Sequence, residues 1–560
     1  MADFSPDDRV IDLDAAISLI SKNSLDTDPT TTPSSPSPES GWTDKQSNLL
    51  PHKKLLIVFP VIAIVQFTSY LDQSTISTAV PTIGAELQLG GNVSWVPTSF
   101  LIASTCTQLV NGRLSDIFGR KELLLCALGL LALGNLFAGF AQNGATLYAF
   151  RALSGLGGGA INALVMIIIS DITTLQQRGK YNGYIGAAVA FGNAIGPWMG
   201  GAFTSRFGWR WAIWYNVPWI AIVIALAFLV LPKSQTTGNV GSKLHLVDWL
   251  GVAVSVAMVL MLLIPLSQGG AALPWDSPLV IGMLVTGVLL MGVFLLIEWK
   301  FAKLPVVPLH LFTISRSANI ILLQSALFGF VFWGNLYYIP FYMQNVLGYT
   351  PVISGALIIP LVSCQGIGSI IAGRLISSSG RYNPVIRTAQ LLWLIGACLQ
   401  ITYTRHTPGW QIITFGLLQG LGVGGAFQPS LVALLAHSNK ADRAVANCLR
   451  NFIRTLGGAV GLTVSGTMLN NGLRARLAGM LPDATIALLT ASTSEVSDVH
   501  LSPVEREGVL DAYMNGIHII FTTYAFIMAV SFLLAWLVVD DGLAERDAPE
   551  RVKMGRMDVA

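Results

Sequence analysis

Two ionisable side chains stand inside stretches that are otherwise apolar: Asp72 in V-Q-F-T-S-Y-L-D-Q-S-T-I-S-T-A-V, and Arg151 at the head of R-A-L-S-G-L-G-G-G. A charge at the centre of a membrane helix costs about 2.5–3.5 kcal/mol on insertion scales, so it faces a cavity, holds a partner or is neutralised by a proton. A carboxylate in that setting can exchange protons, and an arginine at comparable depth can modulate its charge. A fixed structural salt bridge is the competing reading. Charge gathers again in Gly112–Lys121, G-R-L-S-D-I-F-G-R-K, between two long apolar runs. There Gly112 and Gly119 permit a tight turn and close helix approach. Arg113, Arg120 and Lys121 supply positive charge, and Asp116 lies where a carboxylate can brace two helix ends. A third stretch, G-N-A-I-G-P-W-M-G-G, sets Gly192, Gly196 and Gly200 four residues apart, followed by Gly201. That spacing makes one smooth helix face for close approach, with ordinary small-residue packing as the alternative. Pro197 removes a backbone donor and kinks the helix beside it.

The elements that position these residues are membrane helices. Of the 560 residues, 53% are hydrophobic and only 11% charged, where a soluble domain carries roughly a quarter of its residues as charges. The net charge of +3 implies no nucleic-acid partner. Runs of about twenty apolar residues predict fourteen spans. They lie near 55–80, 93–111, 122–141, 147–169, 182–203, 211–231, 247–267, 278–297, 317–339, 352–376, 386–404, 411–435, 446–469 and 517–539. Lys and Arg concentrate on alternate loops, which by the positive-inside rule puts both termini in the cytoplasm. The exceptions in short outer loops are Arg206, Arg210 and Arg405. Arg450 and Arg454 open the thirteenth span and read as cytoplasmic-face anchors, while Asp171 and Glu298 read as cytoplasmic helix ends.

The charged loop has an echo, G-R-L-I-S-S-S-G-R-Y at Gly373–Tyr382, eight spans later. One loop pattern used twice implies two related halves, and two halves in a membrane suggest a transporter. The offset divides the chain into an N-terminal six-span bundle (51–233), a two-span insert (234–303) and a C-terminal six-span bundle (304–540) with a long outer loop at 470–515. Residues 1–50 form a polar, Pro- and Ser-rich cytoplasmic tail too poor in apolar surface to fold, apart from one short amphipathic stretch at 10–20. Residues 541–560 form a second tail. No apolar core precedes Leu55, so the first span is expected to direct membrane targeting.

Uncharged polar groups within spans, Gln66, Asn162, Asn193, Gln324, Gln365 and Gln428, either line a substrate path or bond a neighbouring helix. The aromatics Phe67, Tyr70, Phe328, Phe332, Trp333, Tyr337 and Tyr338 either wall a cavity or face lipid. Of these, Gln66, Tyr70, Asn162, Asn193, Gln324, Trp333 and Gln365 form the working set for a substrate cavity. The five cysteines and seven histidines show neither disulfide nor metal-ligand spacing. No phosphate-binding loop appears, so neither a resident cofactor nor hydrolysis by this chain is expected. Asn92-Val93-Ser94 is the single glycosylation sequon, close against the second span.

Gly112–Lys121 resembles the signature cytoplasmic loop of the major facilitator superfamily, and Gly192–Gly201 resembles the fifth-span signature of its drug:proton antiporters. Leu71–Ile76 followed by Ala79-Val80-Pro81 resembles the first-span motif of the fourteen-span branch, and Arg151–Gly158 resembles the fourth-span R-x-x-x-G motif. Trp209-Arg210-Trp211 and Asn216-Val217-Pro218 are similar to fungal members. The resemblance covers about 55–537 and departs from the family at Gln73 and in the echo loop, which lacks an acidic residue. It implies an all-α integral membrane protein of the major facilitator fold, with two six-helix bundles plus two extra central spans.

The function expected is proton-coupled export of small, mostly apolar organic compounds (drugs, toxins or secondary metabolites) by alternating access. Asp72 and Arg151 would be the coupling pair, and the proton gradient the energy source. The resemblance places the protein in the plasma membrane ahead of the vacuole. The expected partners are a small-molecule substrate and the bilayer, with the protein working as a monomer. Vacuolar transport of basic amino acids, siderophore export, and a non-transporting membrane sensor on the same fold are the alternatives. An embedded enzyme lacks the necessary residue cluster.

Overall fold

The computed structural model describes residues 51–89, 93, 95–232, 247–269, 275–300, 305–307, 309–439, 442–478, 480–482, 502–540 and 542–543, all within the unit Asn48–Ala560. Asn92, residues 1–50 with the stretch at 10–20, residues 483–501 and residues 544–560 lie outside them. Helices account for its regular elements. The first half comprises α1 (His52–Glu86), α2 (Trp95–Phe118), α3 (Arg120–Ala138), α4 (Gly144–Ile172), α5 (Leu175–Phe207), the short α6 (Trp209–Trp214) and α7 (Asn216–Val230). Then come α8 (Trp249–Gln268), α9 (Pro278–Lys300) and the single turn α10 (Leu311–Ile314). The second half comprises α11 (Arg316–Asn345), α12 (Pro351–Ser379), α13 (Asn383–Gln400), α14 (Gly409–Ala436), α15 (Arg443–Leu477) and α16 (Pro503–Leu534).

Among the described residues, 11 helices are long and apolar enough to cross a membrane, α6 and α7 running on as one such segment. The other three spanning helices, α2, α5 and α13, are held below that threshold by their polar and glycine content, with 24, 33 and 18 residues respectively. Composition alone therefore marks these three weakly. Local signals set the helix starts. Asn143 caps α4 by accepting from the Thr146 amide at 2.9 Å, and Asp248 caps α8 through Gly251 at 2.9 Å. Ser502 and Glu505 form a capping box at α16, bonded at 2.8 and 3.3 Å.

Several helices outrun their apolar spans. α15 continues to Leu477 and α16 begins at Pro503, so much of the polar 470–515 stretch is helix standing above the apolar layer. α11 passes through Pro340 and ends at Asn345. Helix propensity and backbone hydrogen bonding carry an element past the point where hydropathy falls.

In the first half α1 packs on α5, α2 on α4, and α3 on α4 and α7. In the second, α11 packs on α15, α12 on α14, α13 on α14 and α16, and α15 on α16. α8 and α9 pair with each other, and α8 reaches α2 and α15. The halves meet chiefly along α5 against α12 and α2 against α15.

Candidate functional site

Asp72 and Arg151 meet. Arg151 Nη1 lies 3.3 Å from Asp72 Oδ2, and the residues are 3% and 1% exposed respectively. Two asparagines complete the carboxylate's shell, with Asn135 Nδ2 donating to Oδ1 at 2.6 Å and Asn216 Nδ2 donating to the same oxygen at 3.0 Å. Asn135 Oδ1 in turn accepts from Arg151 at 3.3 Å and from the Ser154 hydroxyl at 3.0 Å. The guanidinium also sits over the Phe100 ring, 4.8 Å from its centroid. Side chains from α1, α2, α3, α4 and α7 therefore close around one carboxylate, and its hydrogen-bond partners among the described residues all come from the first half. In this low-dielectric enclosure, removing one charge strands the other. One turn beyond Asp72, Thr75 bonds the Tyr215 hydroxyl at 2.7 Å, and Tyr215 stacks on Phe203 of α5 at 4.8 Å between centroids.

The glycine face of α5 is turned toward α1. A methyl group at Gly192 would lie 3.0 Å from the Phe67 carbonyl oxygen, one at Gly196 3.0 Å from that of Leu71, and one at Gly200 against the Thr75 carbonyl. Ser74 Oγ adds a 3.0 Å bond to the Gly192 carbonyl. Gly201 has open space around its Cα and takes no part in this packing. Pro197 sits half-buried beside the face. The glycines thus serve contact within one half, the long contact between α1 and α5.

On the opposite side of the membrane, the charged loop is an ion-pair chain. Gly119 breaks α2 from α3 with φ +104, a conformation that L side chains rarely adopt. Asp116 pairs with Arg120 at 2.6 Å and with Arg113 at 3.8 Å, while Arg120 Nε bonds Asp171 at 2.9 Å. Arg113 reaches the other half by lying 3.6 Å from Asp442, which His310 Nε2 approaches at 2.8 Å, and it donates to the Pro305 carbonyl at 2.7 Å. Lys121 donates to the Phe228 and Leu231 carbonyls at 2.6 and 2.7 Å, a cation on the C-terminal carbonyls of α7. A methyl on Gly112 would lie 3.2 Å from Val445 Cα, so α2 and α15 touch backbone to backbone there.

This is also the side on which the halves close. In the first turns of α5, a methyl on Gly179 would lie 3.0 Å from the Gly373 carbonyl, and one on Gly183 3.2 Å from Ile370 Cα. Arg374 of the echo loop donates to the Tyr184 hydroxyl at 3.3 Å. Ala163, Ile167, Ala444 and Cys448 form a small buried apolar cluster between α4 and α15.

The major facilitator superfamily model matches residues 62–462 and 362–555. The chain is 38% identical over 499 residues, 89% of this chain and 74% of the relative, to citrate exporter 1 of Yarrowia lipolytica. It is 37% identical to the MFS-type transporter clz4 of Cochliobolus lunatus, covering 90% of this chain and 89% of that one. It is 31% identical to the efflux pump dotC of Dothistroma septosporum, covering 85% and 83%. The chain belongs to the major facilitator superfamily. The fold agrees, with a TM-score of 0.58 to the human organic anion transporter MFSD10 at 14% identity, covering 87% of this chain and all of that one. As a member of that superfamily this protein is a membrane transporter, and not an enzyme.

The residues proposed for a substrate path in this major facilitator protein separate into groups. Gln66 donates to Asn162 at 3.0 Å within the first half, and Tyr70, Asn162, Asn193 and Trp333 are partly exposed. Gln324 is fully buried and donates to the Ser531 carbonyl at 2.9 Å, bonding α11 to α16 inside the second half. Gln365 is buried at the α12–α14 contact, where a methyl on Gly420 would lie 3.1 Å from its backbone nitrogen. Phe328 and Tyr338 are core residues, whereas Tyr337 is 53% exposed.

Arg450 and Arg454 are not surface anchors. α15 starts at Arg443, so both stand two to three turns inside it, and Arg450 is 2% exposed. The apolar run begins later than the helix, which drew the span's predicted edge too close to them. Glu298, read as a plain helix end, accepts the Val306 and Val307 amides at 3.2 Å each. Asp171 does lie in the last turn of α4, where it is also a member of the charged-loop chain.

Sequence reasoning missed Asn135 and Asn216 as partners of Asp72, and Ser154 as the partner of Asn135. Each is an uncharged polar residue in an apolar span, and the one available signal was that three such residues fall in three different helices.

Proposed function

We propose that this transporter exports small, mostly apolar organic compounds by alternating access, driven by protons that enter through Asp72. The observation carrying this reading is the enclosed cluster around Asp72 on the same helix that receives the glycine face of α5. Protonating Asp72 removes the counter-charge of Arg151 and leaves Asn135 and Asn216 donating to a neutral acid, which weakens the hold of α3, α4 and α7 on α1. A displacement of α1 passes to α5 through Gly192, Gly196 and Gly200, and through the Tyr215–Phe203 stack. α5 in turn lies along α12 of the other half, so the state of one carboxylate biases the contact that shuts one side.

With the Lys- and Arg-rich loops in the cytoplasm, the arrangement described above is the one with the cytoplasmic entrance shut. The ionised Asp72–Arg151 pair belongs to that state. Relatives named as an exporter and as efflux pumps support outward transport. A mostly apolar substrate path would give breadth, because one methylene changes binding by only about 1–3 kcal/mol.

The test is proton flux on substrate addition in everted vesicles, with lipophilic cations, neutral toxins and basic amino acids as the panel. The wild type should move protons with a subset of the panel, and Asp72→Asn should not. Full substrate-driven proton movement in Asp72→Asn would remove the coupling role.

A further inference from the structure

We propose that Arg454, backed by Arg450, is an anion-recognition subsite on the transport path, and that this protein's substrates include organic acids with an aromatic or apolar body. The inference rests on the transport reading and adds the charge of the substrate to it.

The two arginines are four residues apart on α15 and so share one helix face. Arg450 is fixed by neutral acceptors only: the Phe427 carbonyl, the Ser430 hydroxyl at 2.9 Å and Asn451 Oδ1 at 3.4 Å. Its Nε has no partner among the described residues. Arg454 is partly exposed, and its guanidinium stands over the Phe427 ring, 5.1 Å from the centroid. No carboxylate among the described residues forms an ion pair with either.

The other arginines discussed inside the helical core are treated differently. Arg151 holds Asp72, and Arg113 and Arg120 hold Asp116, Asp171 and Asp442. Two like charges in a membrane helix without a counter-ion raise a cost that is already about 2.5–3.5 kcal/mol for one on insertion scales, and intramembrane charges mark substrate paths. An anionic substrate supplies the missing counter-charge.

Chemistry selects the class. Arg450 has most of its donors committed and contributes field, whereas Arg454 keeps the planar fork of donors that matches a carboxylate bidentately. The surroundings are aromatic. Phe427 lies 5.0 Å from Phe332 and 6.0 Å from Phe328, and Phe332 lies 5.6 Å from Trp333. Trp333 packs over Gly458, one turn beyond Arg454. A carboxylate on Arg454 therefore leaves the body of the molecule against aromatic rings, and a cation there meets two positive charges.

The probe is 2-naphthoate against its neutral isostere 2-naphthamide, applied to the purified full-length protein. Naphthoate should raise the melting temperature of the wild type, and naphthamide should not. In Arg454→Gln the naphthoate shift should vanish while the unliganded melting temperature stays close to wild type. Arg454→Lys should recover part of the shift. In vesicles, Arg454→Gln should raise the KM for naphthoate at least tenfold, and by far more than the KM for a neutral toxin. Equal effects of naphthoate and naphthamide on the wild type, or an undiminished naphthoate shift in Arg454→Gln, would overturn the proposal. The binding arm reads the subsite directly. A protein that binds naphthoate through Arg454 yet moves no protons with any compound would fail the coupling reading alone.

Discussion

Removing either member of the Asp72–Arg151 pair should harm the fold more than altering both. The carboxylate accepts from Asn135 at 2.6 Å, Asn216 at 3.0 Å and Arg151 at 3.3 Å, all inside the first half. In Asp72→Asn one of those acceptor positions becomes an NH2 group facing donors. Arg151, whose Nε and Nη2 already have no partner among the described residues, is then left charged and buried. Breaking a buried pair from one side costs about 3–5 kcal/mol, whereas replacing both charges is often neutral. Arg151→Met strands Asp72 in the same way. The double variant Asp72→Asn/Arg151→Met leaves only neutral groups, which can satisfy one another and pack around the methionine.

Unfolding in mixed detergent–SDS micelles measures the four proteins of this cycle. Single costs of about 3–5 kcal/mol each with a near-neutral double give a coupling energy of about 6–10 kcal/mol, well above the range usual for residues in direct contact. The double variant should also insert normally and show no substrate-driven proton movement, which separates the chemical role of the pair from its structural one. Single-variant costs that add to within about 0.5 kcal/mol would refute the reasoning, because independent sites behave that way. Proton-driven transport in the double variant would show that the pair is structural only.

The glycines of α5 should not be equivalent. Gly196→Val should abolish transport by forcing α5 off the Leu71 carbonyl, while Gly201→Ala, with nothing within 4 Å, should transport normally. Both are read by vesicle uptake normalised to expression. Cysteines at Gly183→Cys and Ile370→Cys should cross-link with a short bifunctional reagent in the absence of substrate, since those two backbones touch. The yield should fall when the protein is driven to open on that side, and no cross-link in the resting protein would contradict the closure described. Arg405→Ala removes ion pairs to Glu507 at 2.6 Å and Asp511 at 2.9 Å, both on exposed carboxylates. It should cost no more than about 1 kcal/mol, as exposed pairs do, and leave transport unchanged in the same vesicle assay.

The amino-acid sequence by itself determined the class of protein, the fourteen helices and the two-half plan. Hydropathy over twenty residues is a local property, and the repeated Gly-Arg-Leu loop is legible without any partner. Asp72 and Arg151 were legible for the same reason, because a charge in an apolar run stands out wherever its side chain points. Their meeting was legible only as a candidate pairing at comparable depth, since they are 79 positions apart. Asn135, Ser154 and Asn216 were not legible, because their roles depend on which faces of α1, α3, α4 and α7 turn toward one another.

Tertiary structure also decided what the outlying charges do. Arg210 and Arg405 break the loop charge pattern because Glu86, Glu507 and Asp511 sit beside them and neutralise them locally. Arg450 and Arg454 read as anchors because a polar helix start resembles a membrane edge. Only the position of Arg443 as the first residue of α15 moves them inside the protein. Periodicity states which residues share a face of one helix. The partner of that face is set by packing between helices far apart in the chain, and in this protein the partner decides whether a buried charge is paired or left for a ligand.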